Sequence, residues 1–139
     1  MAEKSLVKTL EQGRASEAYG YVMKARERLG GGAKDYKSYV KKLPVMIKTN
    51  GLGQTLAFVK SKRSKKGEEK NAYDIIYEQL GDWLQNCPNS VIQGDKDRGD
   101  NDLVASIIDL ESKDYRVATA EALSLLSWLR RFADGMIED

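Results

Sequence analysis

Residues 61–66 of this 139-residue chain carry a dense run of positive charge. Their sequence is SKRSKK, with four cations in six residues, and no acidic residue follows before Glu68. Lysine and arginine side chains at this density are typical of surfaces that bind the phosphates of nucleic acids, although a charge run can also be a solvated face. Phosphate binding is therefore the first chemistry that the sequence suggests.

The cations of this run, and those of the segment before it, are the predicted contacts with a nucleic-acid backbone. A contact between a cation and a phosphate needs no base-specific geometry, so charge and helix position guide the selection. The predicted contacts are Lys41, Lys42, Lys48, Lys60, Lys62, Arg63, Lys65 and Lys66.

The sequence NGLG at residues 50–53 offers a second means of binding phosphate. Asn50 and Gly51 tolerate positive φ and are predicted to end one helix. A second helix would begin beside them, with the amides of Gly51, Leu52 and Gly53 unpaired at the positive end of its dipole. No Gly-Lys-Ser/Thr follows, so the segment does not match the phosphate-binding loop of nucleotide hydrolases.

A cluster of aspartates late in the chain raises the question of a metal site. Asp95 and Asp97 could occupy the first and third positions of a calcium loop. The sixth position would then be Asp100 instead of glycine, and the twelfth would be Ser106 instead of glutamate. The spacing therefore predicts no metal site, and Asp100 or Asn101 is expected to cap the next helix.

The composition gives little support to catalysis. The chain has no histidine and a single cysteine, Cys87. It therefore lacks the commonest general base and cannot form an internal disulfide or a cysteine-based zinc site. Cys87 is in register with the apolar stripe of a predicted helix, so we expect a buried thiol. We predict no catalytic residue, no cofactor and no metal.

The elements that position these residues are predicted to be helices, because apolar residues recur at helical spacing and no segment alternates like a strand. With 41% hydrophobic and 32% charged residues, the chain can bury a core and keep a solvated surface. We predict an all-α fold, a single compact bundle of five to six helices that forms one domain over residues 1–139. Pro44 is expected to kink the second helix or to mark where it restarts. The predicted helices are Leu6–Leu29, one through Tyr36–Ile47, one from Leu52 into the basic run, Asn71–Asn86, Leu103–Leu110 and Asp114–Met136. The first helix has a weak point at Gly13 and is ended by glycines 30–32. The third is expected to carry Lys65 on one of its faces, and a polar linker is predicted at Ser64–Glu69.

The net charge of +2 conceals an asymmetry between the two halves of the chain. Residues 1–70 hold 17 of the 23 Lys and Arg and 7 of the 21 Asp and Glu, so this half carries +10 and the remainder −8. Such a division favours one basic and one acidic surface, for a polyanion on one side and a basic neighbour on the other. The alternative is that folding interleaves the halves and cancels their fields.

Three segments make the sequence recognisable: LPVMIKTNGLGQTLAFVKSK at residues 43–62, AYDIIYEQLGDWL at residues 72–84 and LLSWLRRFADGMIE at residues 125–138. Together they resemble the small α-helical subunit of the type III-B CRISPR RNA-targeting complex, the Cmr complex. The resemblance extends from about Leu6 to Ile137, and NGLGQTLAF is its most specific part.

The resemblance implies a non-catalytic subunit that stacks in several copies beside the backbone subunits and lines the path of target RNA paired with CRISPR RNA. It places RNA cleavage in a backbone subunit and nucleotide chemistry in the large subunit. The implied partners are the other Cmr subunits, copies of this chain, and CRISPR RNA with its target. The matched motif assigns no RNA contact residue by residue, so the eight cations above depend on charge and helix geometry.

Two other functions stay open at this point: a protein–protein adaptor without RNA contact, and a small metal-dependent nuclease that uses the aspartates between Asp95 and Asp102. Core packing is favoured over a partner contact for Trp83, whereas Arg130 and Arg131 could pair with acids, touch RNA or touch a neighbouring subunit.

The N-terminus lacks the apolar core of a secretion signal, and no apolar run approaches the ~20 residues that span a bilayer. We therefore expect a cytoplasmic protein without a membrane partner.

Overall fold

The prediction of an all-α fold is confirmed by the computed structural model, which describes residues 2–92 and 102–138, with the backbone alone for residues 2–8. The described residues form six α-helices and one short 3-10 turn, and they contain no strand. The helices are α1 (Ala2–Leu29), α2 (Ala33–Asn50), α3 (Leu52–Ser61), α4 (Ala72–Asn86), α5 (Leu103–Ile108) and α6 (Ser112–Met136), and the 3-10 turn is Gly30–Gly32.

Helix α6 is the centre of the bundle and packs most extensively against α1 and α2. Its buried face repeats at helical spacing, with Ala122, Leu125 and Leu129 fully excluded from solvent. The facing side of α1 presents small residues such as Ala18 and Ala25, which are equally buried. Small side chains on one helix let its neighbour approach closely, so this contact forms a tightly packed seam.

Helix α2 runs unbroken through Pro44, so the helix does not restart there as the sequence allowed. Proline inside a helix costs about 3 kcal/mol because it removes one backbone hydrogen bond. The neighbouring side chains Leu43 and Ile47 are buried in the core, and burying a large aliphatic side chain stabilises by roughly 1.5–3 kcal/mol. Packing on both sides of Pro44 therefore offsets the local cost. The predicted weak point at Gly13 does not interrupt α1 either.

The prediction that a helix ends at Asn50–Gly51 is confirmed. Asn50 is the last residue of α2, and Gly51 has a φ of 90°, which an L side chain adopts only with strain. The amide of Gly51 donates to the carbonyl of Ile47 (2.8 Å) and closes α2, and α3 begins at the next residue. One glycine therefore sets the angle between two helices that both carry predicted phosphate contacts.

A buried polar network joins α1, α4 and α6, and we define it as Arg14, Trp83 and Glu121. The guanidinium of Arg14 donates two hydrogen bonds to the Glu121 carboxylate, at 2.8 and 2.9 Å. The indole N–H of Trp83 donates to the same carboxylate at 2.8 Å. Glu121 is only 4% exposed and Trp83 6%. The expectation that Trp83 is a core residue is therefore confirmed, and so is the burial of Cys87, whose thiol has its pKa raised by that burial to about 11.

Candidate nucleic-acid interface

The start of α3 does not offer the open amides that the sequence suggested for phosphate. The amide of Gly53 donates to the hydroxyl of Tyr115 on α6 at 2.8 Å, and that of Gly51 is used by α2. Leu52 and Gly53 are themselves buried. A Cβ at Gly53 would lie 3.3 Å from Ile108 and 3.4 Å from the Tyr115 hydroxyl, so the glycine is needed for close packing. The prediction that these amides are unpaired is therefore wrong for Gly51 and Gly53, whose amides donate to the Ile47 carbonyl and the Tyr115 hydroxyl.

The basic run lies in a turn between α3 and α4, which we call the basic turn and define as residues 62–71. Helix α3 ends at Ser61, so Lys65 is not on a face of that helix as predicted. The turn is instead held by Asp74 of α4, whose carboxylate accepts hydrogen bonds from the Ser64 amide (3.1 Å) and the Asn71 amide (2.9 Å). The Asn71 side chain in return accepts from the Asp74 amide at 3.0 Å. This reciprocal capping box fixes both the start of α4 and the path of the basic turn.

Arg63 is the predicted contact whose charge is most fully used inside the chain. Its guanidinium lies 2.9 Å from the Asp74 carboxylate and 3.9 Å from that of Glu78, and it covers the ring of Tyr77 with 4.8 Å to the centroid. Burial would raise the pKa of Asp74, but hydrogen bonds from Ser64, Asn71 and Arg63 lower it to about 2. A buried carboxylate kept ionised in this way needs its partner, so Arg63 stabilises the turn.

Two further predicted contacts have acidic partners at the surface. Lys60 lies 2.9 Å from the carboxylate of Asp102, and Lys41 lies 3.8 Å from that of Asp134. Both lysine side chains are about half exposed. Exposed pairs contribute about 0–1 kcal/mol, so Lys41 could exchange its carboxylate for a phosphate at little cost. The Asp102 side chain is only 21% exposed, so Lys60 would give up a partly buried partner.

Lys42 and Lys62 come together over an aromatic platform, which we define as Tyr39, Phe58 and Tyr73. The Nζ atoms of Lys42 and Lys62 lie 5.9 and 5.8 Å from the centroid of Phe58. Lys42 also lies 4.8 Å from the centroid of Tyr39. Tyr39 stacks on Tyr73 at 4.1 Å, and Phe58 meets Tyr73 edge to face at 5.9 Å. The platform therefore brings together cations from α2 and from the basic turn.

Lys48, Lys65 and Lys66 are the predicted contacts with the greatest freedom to bind an external anion. All three side chains are exposed. Within residues 2–92 and 102–138, none of them makes an ion pair, a hydrogen bond or a ring contact. Arg130 and Arg131 on α6 are also exposed, and neither pairs with an acid among the residues that the structure describes.

Ion pairs between the two halves of the chain use much of the charge asymmetry. The basic first half supplies the cation and the second half supplies the acid. Folding therefore interleaves the halves, which was the alternative interpretation of the asymmetry, and the surface charge that is left over is local. Among the described residues, the pairs are Arg14–Glu121, Arg28–Glu78, Lys41–Asp134, Lys60–Asp102, Arg63–Asp74, Arg63–Glu78 and Lys70–Glu78.

Most of the aspartate cluster lies outside the described residues. Asp100 and Asn101, which were expected to cap the helix that follows, also lie outside them. Asp102 is the described residue that caps α5, and its side chain accepts from the Val104 amide at 3.1 Å. Within residues 2–92 and 102–138, no group of three or more histidine, cysteine or acidic residues is arranged to hold a metal ion. None of the described helices is long and apolar enough to cross a membrane.

Several residues that build this interface were missed by sequence reasoning. The capping box was visible as Asn71 followed three residues later by Asp74 before an apolar run. The spacing of Tyr39 and Lys42 places them on one face of a helix, so their contact could also have been found. Tyr115 gave no such signal, because its partner Gly53 is 62 residues away.

Comparisons with known proteins agree with the resemblance seen in the sequence. The family model described as CRISPR-associated protein (Cas_Cmr5) matches residues 10–136. The CRISPR system Cmr subunit Cmr5 of Thermus thermophilus is 31% identical over 133 residues, which is 96% of this chain and 100% of that protein. The crystal structure of a CRISPR-associated Cmr5 family protein from the same organism superposes with a TM-score of 0.68 at 30% identity, covering 93% of this chain and 97% of the other. This chain therefore belongs to the Cmr5 family of CRISPR-associated proteins.

Proposed function

We propose that this chain is a non-catalytic small subunit of a type III-B CRISPR Cmr effector complex and that it contacts the RNA backbone through its basic face. Membership of the Cmr5 family carries this proposal. Its partners are the other Cmr subunits, further copies of the chain, and CRISPR RNA with its target. The lack of histidine supports a role in binding instead of catalysis, because the commonest general base is missing.

Membership of the complex can be tested by gentle affinity purification of the chain from its own host. We expect a multi-subunit assembly that contains short repeat-derived RNAs, detected by peptide mass analysis and RNA sequencing. Recovery of the chain alone, or with unrelated proteins and no small RNA, would contradict the proposal.

The surroundings of the eight cations rank them by their capacity to bind RNA. Lys48, Lys65 and Lys66 are exposed and rank first, and Lys42 and Lys62 follow because their ring contacts leave the charge unneutralised. Lys41 would have to leave the exposed carboxylate of Asp134, which costs little, and Lys60 the partly buried carboxylate of Asp102. Arg63 comes last, since releasing it would leave Asp74 buried and ionised.

The RNA interface can be tested by reversing three charges in the assembled complex. Lys48→Glu, Lys65→Glu and Lys66→Glu together should weaken capture of target RNA and reduce its salt dependence. Removing one phosphate contact lowers the slope of log affinity against log salt by roughly 0.7 for single-stranded RNA.

A matched triple variant separates local contacts from a general charge effect. Lys24→Glu, Lys34→Glu and Lys113→Glu make the same change of net charge at exposed positions outside the eight predicted contacts. We expect this control to capture RNA nearly as well as the unaltered chain. Equal losses in the two triples would mean that overall charge, and not this surface, governs binding.

The adaptor function is favoured by a different observation, an aromatic group on α1 and α6 in which Tyr19 is exposed and Trp128 and Phe132 are partly buried. Tyr19 is 49% exposed and meets Phe132 edge to face at 5.5 Å, and Trp128 stacks on Phe132 at 5.6 Å. Such rings suit contact with another protein. If the chain assembles normally but neither lysine triple changes RNA capture, docking through apolar surface becomes the better account.

The nuclease function keeps one direct test. Divalent-dependent cleavage of RNA by the purified chain, abolished by Asp95→Ala or Asp97→Ala, would contradict the proposal of a non-catalytic subunit. We expect the purified chain not to cleave RNA.

A further inference from the structure

In the aromatic platform, two lysines from different parts of the chain lie over one ring, that of Phe58. The family match does not explain this feature. Lys42 belongs to α2, whereas Lys62 follows the end of α3. Both ammonium groups lie within 6 Å of the Phe58 centroid, which is the distance of a cation–π contact. The ring therefore acts on both cations at once.

The orientation of the Phe58 ring is held by its neighbours. Tyr73 meets it at an interplanar angle of 85°, and Tyr73 in turn stacks on Tyr39 with an angle of 16°. All three rings are half-buried and pack against the hydrophobic core. A ring fixed in this way keeps its face where the lysines can reach it.

We propose that Phe58 is a positioning residue that holds Lys42 and Lys62 as a pair of phosphate-binding cations. This inference rests on the proposed RNA contact of the chain. A free lysine must give up side-chain freedom when it binds, and immobilising it reduces affinity. A lysine that already lies over a ring has given up part of that freedom, and its ammonium still has N–H groups to donate to a phosphate oxygen.

The inference predicts that removing the ring weakens RNA binding without removing a charge. Phe58→Leu should reduce the affinity of the assembled complex for target RNA by roughly fivefold at constant salt, the scale expected when two side chains lose their pre-ordering. The slope of log affinity against log salt should stay unchanged. Phe58→Tyr keeps an aromatic face and should bind RNA like the unaltered chain.

A double-mutant cycle distinguishes positioning from a general structural effect. Lys42→Gln with Lys62→Gln should lower the salt slope by roughly 0.7 for each contact. In that background Phe58→Leu should cause no further loss, because the cations through which the ring acts are gone. An equal loss with and without the two lysines would overturn the inference.

Two additional measurements separate the inference from the proposed function and from base stacking. In the isolated chain, the ε-methylene protons of Lys62 should show a ring-current shift that Phe58→Leu abolishes, and this result needs no RNA. The corresponding protons of Lys42 should keep the part of their shift that the Tyr39 ring causes. If the two lysine substitutions leave RNA capture unchanged, the proposed contact at this site fails. If they weaken capture and Phe58→Leu does not, the positioning role alone fails. If the effect of Phe58→Leu disappears on RNA with abasic nucleotides, the ring stacks on a base and the inference is overturned.

Discussion

Charged side chains have different roles in the buried polar network and in the basic turn. In the network, Arg14 meets a carboxylate that is only 4% exposed and that also accepts from Trp83. In the basic turn, the side chains of Lys65 and Lys66 are exposed and make no ion pair, hydrogen bond or ring contact with another described residue. A buried pair is costly to break, whereas an exposed cation contributes little to stability. Charge therefore stabilises the fold in the first region and stays available for a partner in the second.

Arg63 lies between these two cases, although it is a neighbour of Lys62 in the basic turn. It is partly buried, it pairs with Asp74 and it covers Tyr77. From the composition of the run alone, Arg63 is as good a candidate for a phosphate contact as the lysines around it. The comparison teaches that the acid facing a cation, more than the density of the run, decides whether that cation can bind RNA.

The largest expected effect tests the network side of this comparison. Glu121→Ala should lower the free energy of unfolding by roughly 3 kcal/mol, because it removes the acceptor of the Trp83 N–H and of two Arg14 hydrogen bonds, while Arg14 keeps its pair with Glu11. Urea unfolding followed by circular dichroism measures this change. Glu27→Ala, at an exposed position of α1, should change stability by no more than about 0.5 kcal/mol. Similar small losses for both variants would show that the network is not a structural element.

The second prediction concerns the acid that holds the basic turn. The pKa of Asp74 is lowered from 3.8 to about 2 in the folded chain. Its stabilisation, about 2 kcal/mol, is therefore present above pH 4 and is lost as pH falls through 2. Asp74→Asn should remove that part of the pH dependence. Unfolding free energies of the two proteins, measured between pH 7 and pH 2, should converge at acid pH, and a constant difference would contradict the assignment.

A smaller effect is expected where a hydroxyl occupies the start of α3. Tyr115→Phe removes the acceptor of the buried Gly53 amide and should cost about 1 kcal/mol. Hydrogen exchange at Gly53 should become faster in the same variant. Unchanged exchange would mean that water replaces the hydroxyl without penalty.

The smallest effect on stability is expected on the basic side of the comparison. Lys48→Gln, Lys65→Gln and Lys66→Gln together should change the free energy of unfolding by no more than about 0.5 kcal/mol. The same triple should lower the salt slope of RNA capture by roughly 0.7 for each phosphate contact that it removes. A large loss of stability would show that these lysines, like Arg63, hold the fold together.

Much of the helical framework could be predicted because its signals are local. The end of α2 at Asn50, the start of α4 beside Asn71 and the burial of Cys87 all follow from residue types within one or two helical turns. The start of α6 at Ser112, two residues before the predicted Asp114, is within the usual variation of helix ends. The helix does not restart at Pro44, because the local cost of the proline is offset by packing that the sequence does not display.

The candidate interface could be predicted only as a set of cations. The acids that neutralise Lys41, Lys60 and Arg63 were visible in the sequence, but their pairing was not. The same holds for the Tyr115 hydroxyl that occupies the predicted phosphate site. These contacts join residues from different elements of the fold, so the periodicity and spacing within one helix carry no information about them.

The sequence by itself determined which segments are helical, where α2 ends and which eight cations could meet a phosphate, because each depends on residue type and on near neighbours. Only the tertiary structure decided that Arg63 pairs with a buried acid of the fold and that Lys48, Lys65 and Lys66 stay exposed. It also decided that Lys42 and Lys62 both lie over the ring of Phe58. The physical reason is that the availability of a charge depends on what faces it. That is set when helices distant in the sequence pack together.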